Sequence, residues 1–310
     1  MHEEQESRLS HAMFSTAHRT FSRWQKLLLL ASALLAFAAA YLAFYTVDGA
    51  IRGYSASLLQ HGSPLRGVLS AIIAVAVSAV VGTVIAGRVR PDAGLFAAAA
   101  TLLVFRFQGG GSRYTLLVAD GRSAFSLMAL ETLLLAAILV GVFIALRSLV
   151  IRTTLADDAA RDGCALAAES LDQKLLCSAT VAVVMTAGMM ILCQSDRPGQ
   201  VLWAVLLSSL AATWCAFRFI PLAPSVWYWI GPLSAGAIGY VNAYFYGFQN
   251  AAIGEPAGML AALARPTPLD YASVGVIGSL IGYWIGRKQH REREERAEAE
   301  AADSSHVGTG

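Results

Sequence analysis

Long, continuous apolar runs limit what this chain can fold into. Eight are bounded by charge or by Gly/Pro clusters, at 27–47, 65–87, 93–107, 123–150, 175–193, 201–220, 225–248 and 271–286. Lipid hydrocarbon offers no partner to backbone N–H and C=O groups, so such runs must satisfy their backbone internally, as helices or as a closed barrel. Barrel strands alternate apolar and polar residues. These runs do not alternate, so the expected fold class is all-α, a polytopic transmembrane helical bundle of about eight spans. The run 93–107 is the weak one. Its 15 residues reach about 22 Å, short of a hydrocarbon core of roughly 30 Å.

Composition agrees with the runs. Of 310 residues, 56% are hydrophobic and only 14% are charged, where soluble domains average about 25% charged. The formal net charge is +2 and the mean hydropathy is +0.56. These values exclude a disordered chain, a nucleic-acid binder built on bulk positive charge and an ordinary soluble enzyme. The lipid bilayer is the expected partner and no nucleic acid is expected.

Lys and Arg in the loops set orientation. With a cytoplasmic N-terminus, 16 of the 23 Lys and Arg fall inside and 7 outside, and every lysine is inside. Both termini are therefore expected in the cytoplasm, in a multi-pass protein of a bacterial cytoplasmic membrane. Residues 1–26 read as a cytoplasmic leader, 27–286 as the transmembrane domain, and 287–310 as a charged cytoplasmic helix ending in a disordered tail. Ala38-Ala39-Ala40 resembles a signal-peptide cleavage site, but the long and partly acidic leader before it favours a retained first span. No segment outside the runs is long enough for a catalytic domain, so the chain is expected not to be an enzyme.

Metal and cofactor chemistry find no pattern. The four cysteines, Cys164, Cys177, Cys193 and Cys215, include no C-x-x-C, and no histidine lies inside an apolar run. Zinc sites of the H-E-x-x-H type and haem held by paired helical histidines are thus not expected. Asp157, Asp158 and Asp162 form one acidic loop cluster without a second to complete a Mg²⁺-diphosphate site, and Gly109-Gly110-Gly111 lacks the Lys-Ser/Thr of a P-loop. No cofactor and no metal site is assigned.

Small residues recur at helical spacing. Gly231, Ala235, Gly239, Ala243 and Gly247 form a ridge in the seventh run, and Gly278, Gly282 and Gly286 form another in the eighth. Such ridges let helix backbones approach closely. They predict that the seventh and eighth helices pack on each other, with a second copy or a partner subunit as the other occupants. Trp24, Trp214, Trp227, Trp229 and Trp284 read as an inner aromatic belt, and Tyr41, Tyr45, Tyr244, Tyr246 and Phe248 as an outer one. A competing reading groups Tyr240, Asn242, Tyr244, Tyr246, Gln249 and Asn250 as an outer polar vestibule.

An internal repeat is also visible. AATLLVFRF at 99–107 and AATWCAFRF at 211–219 share six of nine residues. Ser70-Ala71 and Ser178-Ala179 precede them in the same order, as do Arg90-Pro91 and Arg197-Pro198. The three-helix units 65–150 and 175–248 would then be inverted copies, a transporter hallmark in which sites lie at short or broken helices. Arg106 and Arg218 sit at corresponding positions, each before a helix breaker. Glu131 is the one acidic residue well inside a run, and intramembrane carboxylates are costly and by default functional. It is a candidate for proton or cation coupling; the plainer expectation is a structural pair with Arg106, Arg113 or Arg122.

The sequence thus favours a small-molecule or ion transporter, with Glu131, Arg106, Arg218, Asn242 and Tyr244 as candidate binding residues. The alternative is a non-catalytic membrane subunit or scaffold that packs through its small-residue faces.

Overall fold

The computed structural model describes Leu27, Ala31, Leu34, Leu35, Ala38 and residues 58–59, 64–86, 92–108, 122–152, 170–195, 197–222, 226–246 and 261–307. Every regular element among them is helical. In chain order these are α1 (Pro64–Ala86), α2 (Ala93–Gln108), α3 (Arg122–Arg152), α4 (Leu171–Leu192), α5 (Pro198–Phe219), α6 (Val226–Tyr246), α7 (Ala261–Ala264), α8 (Pro268–Asp270), a π-helical turn (Tyr271–Gly275) and α9 (Val276–Val307). Of the first apolar run, only five residues are described, all helical.

Among the described residues, four helices are long and apolar enough to cross a membrane: α1, α3, α4 and α5, with mean hydropathy of 2.6, 2.5, 2.2 and 1.6 over their apolar windows. Their surfaces are sorted the opposite way from a soluble protein. On α1, the large side chains Leu69, Ile73, Val77, Val80 and Val84 face outward, while Gly67, Ser70, Ala71, Ala74, Ser78, Ala79 and Gly82 are buried. In water this arrangement would be costly, since the outward stripe is a contiguous apolar face. In lipid it costs nothing and brings the small side of the helix inward, where backbones can approach. On α4, Cys177, Val181, Met185 and Met189 form a buried seam at four-residue spacing.

Helix ends follow from local chemistry. Ser170 and Gln173 form a capping box that starts α4, with the Gln173 N–H donating to Ser170 Oγ at 3.2 Å and the Ser170 N–H donating to Gln173 Oε1 at 3.3 Å. Pro198 opens α5, where its missing N–H costs nothing. Pro232 lies inside α6, buried beside Gly275 of the π-helical turn.

Packing runs through glycine, and the partners differ from the sequence expectation. The Gly278-Gly282-Gly286 ridge does not meet the α6 ridge. It lies on α5, where a Cβ built on Gly278 would stand 2.5 Å from the Leu206 carbonyl oxygen and one on Gly282 would stand 2.3 Å from that of Leu210. The α6 ridge is itself divided: Gly231 faces Val181 of α4, and Gly239 faces Leu263 of α7. Ala235 and Ala243 are buried, and Gly247 lies outside the described residues. Helix α6 does meet the last helix, but through glycines off both ridges, Gly236 against the Tyr271 ring and Gly275 against Pro232. The reason is direction. Helices α5 and α9 run parallel, with Gly278 beside Ser209 and Gly286 beside Phe217, so one face of α9 stays on α5 along its length.

Three further pairs run antiparallel. Gly82 meets Ala97 where Thr101 Oγ1 donates to Ser78 Oγ at 2.6 Å, joining α1 to α2. Gly188 against Ser208 joins α4 to α5. Phe143 and Trp229, in edge contact at 5.8 Å, join α3 to α6. The charged tail expected after residue 286 is a direct continuation of α9, helical through Val307. Gln289 accepts from Trp214 Nε1 at 2.9 Å, which holds the first turn of the tail against α5.

Close backbone approach makes these glycines sensitive to single methyl groups. Gly282→Ala is expected to cost about 1–3 kcal/mol by overpacking. Gly141→Ala, where nothing lies within 4 Å of the new Cβ, is expected to gain about 0.5–1 kcal/mol from reduced backbone freedom. Thermal unfolding in detergent compares the two, and equal shifts would contradict the packing.

Candidate functional site

Three of the buried charged residues, Arg106, Glu131 and Asp270, lie at one end of the bundle, and Asp92 lies in the other half. Arg106 ends α2, Glu131 lies in the first third of α3, and Asp270 closes α8. Arg106 Nε donates to Asp270 Oδ1 at 2.7 Å, with the two side chains 7% and 0% exposed. The backbone N–H of Thr267 donates to Asp270 Oδ2 at 2.7 Å, and the N–H of Asp270 donates to Thr267 Oγ1 at 3.3 Å. One carboxylate thus binds a guanidinium with one oxygen and caps a helix start with the other.

That helix start is the unusual feature. Between α7 and α8 the chain is non-helical at Arg265, Pro266 and Thr267, and Pro266 and Thr267 are buried. Buried backbone of this kind needs partners supplied by the protein. Here Tyr240 Oη donates to the Pro266 carbonyl at 2.5 Å, Tyr271 Oη donates to the Leu263 carbonyl at 2.7 Å, and the Arg265 guanidinium donates to the Cys193 carbonyl. A π-helical turn follows at once, Tyr271–Gly275, a form that recurs at functional sites. The two tyrosine rings meet edge to face at 6.2 Å.

Glu131 is fully buried. Its Oε1 accepts from the N–H of Leu58 at 3.0 Å and its Oε2 from the N–H of Leu59 at 3.4 Å. Leu58 in turn lies over Gly67 in the first turns of α1. The carboxylate therefore clamps a second non-helical segment against α3. Helices α8 and α2 both pack on α3, so the Arg106–Asp270 pair and Glu131 lie in the same region of the bundle.

The sequence-predicted residues fall into two groups. Glu131 and Arg106 belong to the cluster, but Arg106 pairs with Asp270, not with Glu131. Arg218, Asn242 and Tyr244 do not join it. Arg218 is exposed at the far end of the bundle, Asn242 is half-buried, and Tyr244 is exposed on the outer surface of α6. The vestibule grouping is corrected accordingly: Tyr240 points into the bundle while Tyr244 and Tyr246 point out of it, and Gln249 and Asn250 lie outside the described residues. Helical geometry separates Asn242 from Tyr240, since residues two apart face different ways, and Tyr244, one turn beyond Tyr240, lies past the packed part of α6. The aromatic belt is corrected at Trp229, which is 2% exposed inside the bundle.

Asp270 and Thr267 were missed although a signal was present. Thr267-Pro268-Leu269-Asp270 matches the capping-box pattern before an apolar run. Nothing in the sequence pointed Arg106 toward it. No group of three or more His, Cys, Asp or Glu side chains is gathered as a metal site among the described residues.

Arg106→Met would leave the Asp270 charge buried without its cation, and is expected to destabilise the protein by about 3–5 kcal/mol. Adding Asp270→Asn to Arg106→Met is expected to recover part of that loss, because an amide oxygen still caps Thr267. Melting temperatures of the two variants measure the difference; a double variant no more stable than the single one would contradict the pairing.

Comparison with known protein families, curated proteins and solved structures gives no match, so the functional reading rests on this cluster.

Proposed function

We propose that the chain is a multi-pass membrane transporter for a small molecule or ion, with Glu131 as its coupling carboxylate. The observation that carries this reading is a three-charge cluster buried beside a broken helix. Charged side chains at membrane depth mark substrate or ion pathways, and transporters build their sites where spanning helices are interrupted. Arg106–Asp270 holds one non-helical segment shut and Glu131 holds the other. Neutralising Glu131 by a proton or a cation weakens charge-assisted bonds to Leu58 and Leu59, because such bonds are roughly twice as strong as neutral ones. That couples an ion to release of the segment.

The same reading gives the chain about eight spans, both termini in the cytoplasm, a cytoplasmic-membrane location and no catalytic role. It places the charged cluster on the outer side. The 16 to 7 division of Lys and Arg supports that orientation. Support for the inverted repeat comes from pairing: α1 lies antiparallel on α2 as α4 does on α5, and the third helices, α3 and α6, pack on each other. In both FRF motifs the first phenylalanine, Phe105 or Phe217, is buried and the second, Phe107 or Phe219, is exposed. The scaffold alternative loses ground because the Gly278-Gly282-Gly286 ridge is covered by α5.

Charge movement in proteoliposomes on a solid-supported membrane tests the proposal. Pools of organic cations, organic anions and neutral polar solutes are applied in turn. One pool is expected to give a transient current in the wild type, reduced at least tenfold in Glu131→Gln. A wild-type protein silent with every pool overturns transport, and an unchanged current in Glu131→Gln overturns the coupling role.

A further inference from the structure

The half of the bundle opposite Glu131 contains a second polar feature. A small cavity between α2, α3, α6 and α9 is lined by Asp92, Phe143, Trp229, Ser279 and Tyr283, among others. Trp229 and Ser279 are 2% and 0% exposed, and neither the indole Nε1 nor the hydroxyl Oγ has a partner among the described residues. Two buried polar atoms without partners are costly. That they line the same cavity is the observation to explain. The Asp92 carboxylate, 8% exposed, stands at the same cavity and accepts from Trp284 Nε1 at 3.4 Å.

We propose that this cavity is a binding site for one water molecule, held by Trp229 and Ser279 and in contact with Asp92. The chemistry selects the ligand. An indole N–H can only donate, so the guest must accept. A carboxylate can only accept, so the guest must also donate. An anion fails at Asp92, and a bare metal cation fails at the indole. Water satisfies both, and the hydroxyl of Ser279 completes the three partners a buried water typically makes. The aromatic walls of Phe143 and Tyr283 leave room for about one such molecule and exclude anything longer. Ser279 lies about 13 Å along the last helix from Asp270 at 1.5 Å per residue. The water site is therefore separate from the charged cluster and does not depend on the transport reading.

The consequence is a hydrated point beside the Asp92 carboxylate. The test uses full-length protein with ¹⁵N-labelled tryptophan in detergent micelles. Trp229→Phe identifies the Trp229 indole among the six tryptophans. In the wild type that indole N–H is expected at a hydrogen-bonded shift, with a magnetisation-transfer cross-peak to water. Ser279→Val, which fills the space and removes one partner, is expected to abolish the cross-peak and slow indole exchange into D₂O at least tenfold. A non-hydrogen-bonded Trp229 indole without a water cross-peak in the wild type overturns the site. So does a cross-peak that survives Ser279→Val unchanged. Should Trp229→Phe not fold, loss of a single indole–water cross-peak in Ser279→Val makes the assignment instead. A silent flux assay leaves this outcome untouched, so the two readings fail separately.

Discussion

The buried contact between Arg106 and Asp270 is the constraint on which the rest of this architecture depends. A bundle of apolar helices can be built from side-chain packing alone. A helix that begins inside the bundle cannot, because its first N–H groups and the preceding carbonyls need partners where no water reaches. Asp270 meets that need by binding the Thr267 N–H with one oxygen and the Arg106 guanidinium with the other. The guanidinium compensates the charge that the cap introduces. Tyr240 and Tyr271 then take the carbonyls of Pro266 and Leu263. Remove the ion pair and the break between α7 and α8 has no reason to be stable.

Glu131 solves the same physical problem at another place. Its two oxygens accept from Leu58 and Leu59, so an acidic side chain substitutes for the helix or sheet partner that those amides lack. Both devices exchange the cost of burying a charge for the cost of leaving backbone groups open. Both lie at one end, where α2 and α8 pack on α3. The opposite half is held differently, by aromatic contacts such as Phe217 with Tyr283 at 5.3 Å and by glycine contacts along α5 and α9. One half is fixed by charged groups bound to open backbone, the other by close van der Waals fit with scattered side-chain bonds such as that of Trp214 to Gln289.

Much of the helical content was readable because apolar run length is a local property. The boundaries of α4, α5 and α6 lie within a few residues of the runs 175–193, 201–220 and 225–248. Glu131 stood out because a lone carboxylate in an apolar run needs no partner to be noticed. Asp270 did not stand out, since it sits at a run boundary where acidic residues are ordinary. Its pairing with Arg106 joins positions 164 residues apart, and no local pattern encodes that. The glycine ridges were legible as ridges, but their partners were not. Spacing says that a face is smooth; which helix lies on it depends on the direction in which each neighbour runs. Trp229 was misplaced for a related reason, because an aromatic near a span end reads as interfacial until its rotation about the helix axis is known.

The last helix has a mechanical meaning beyond its packing. From Pro268 through the π-helical turn to Val307 the backbone runs without a break, and α9 alone, at 32 residues, is a rod about 48 Å long. One end is anchored at the Asp270 carboxylate and the other carries the charged tail, with Gln289 resting on Trp214 between them. The buried ion pair and the exposed tail are thus the two ends of one uninterrupted helical segment, held along its middle by α5.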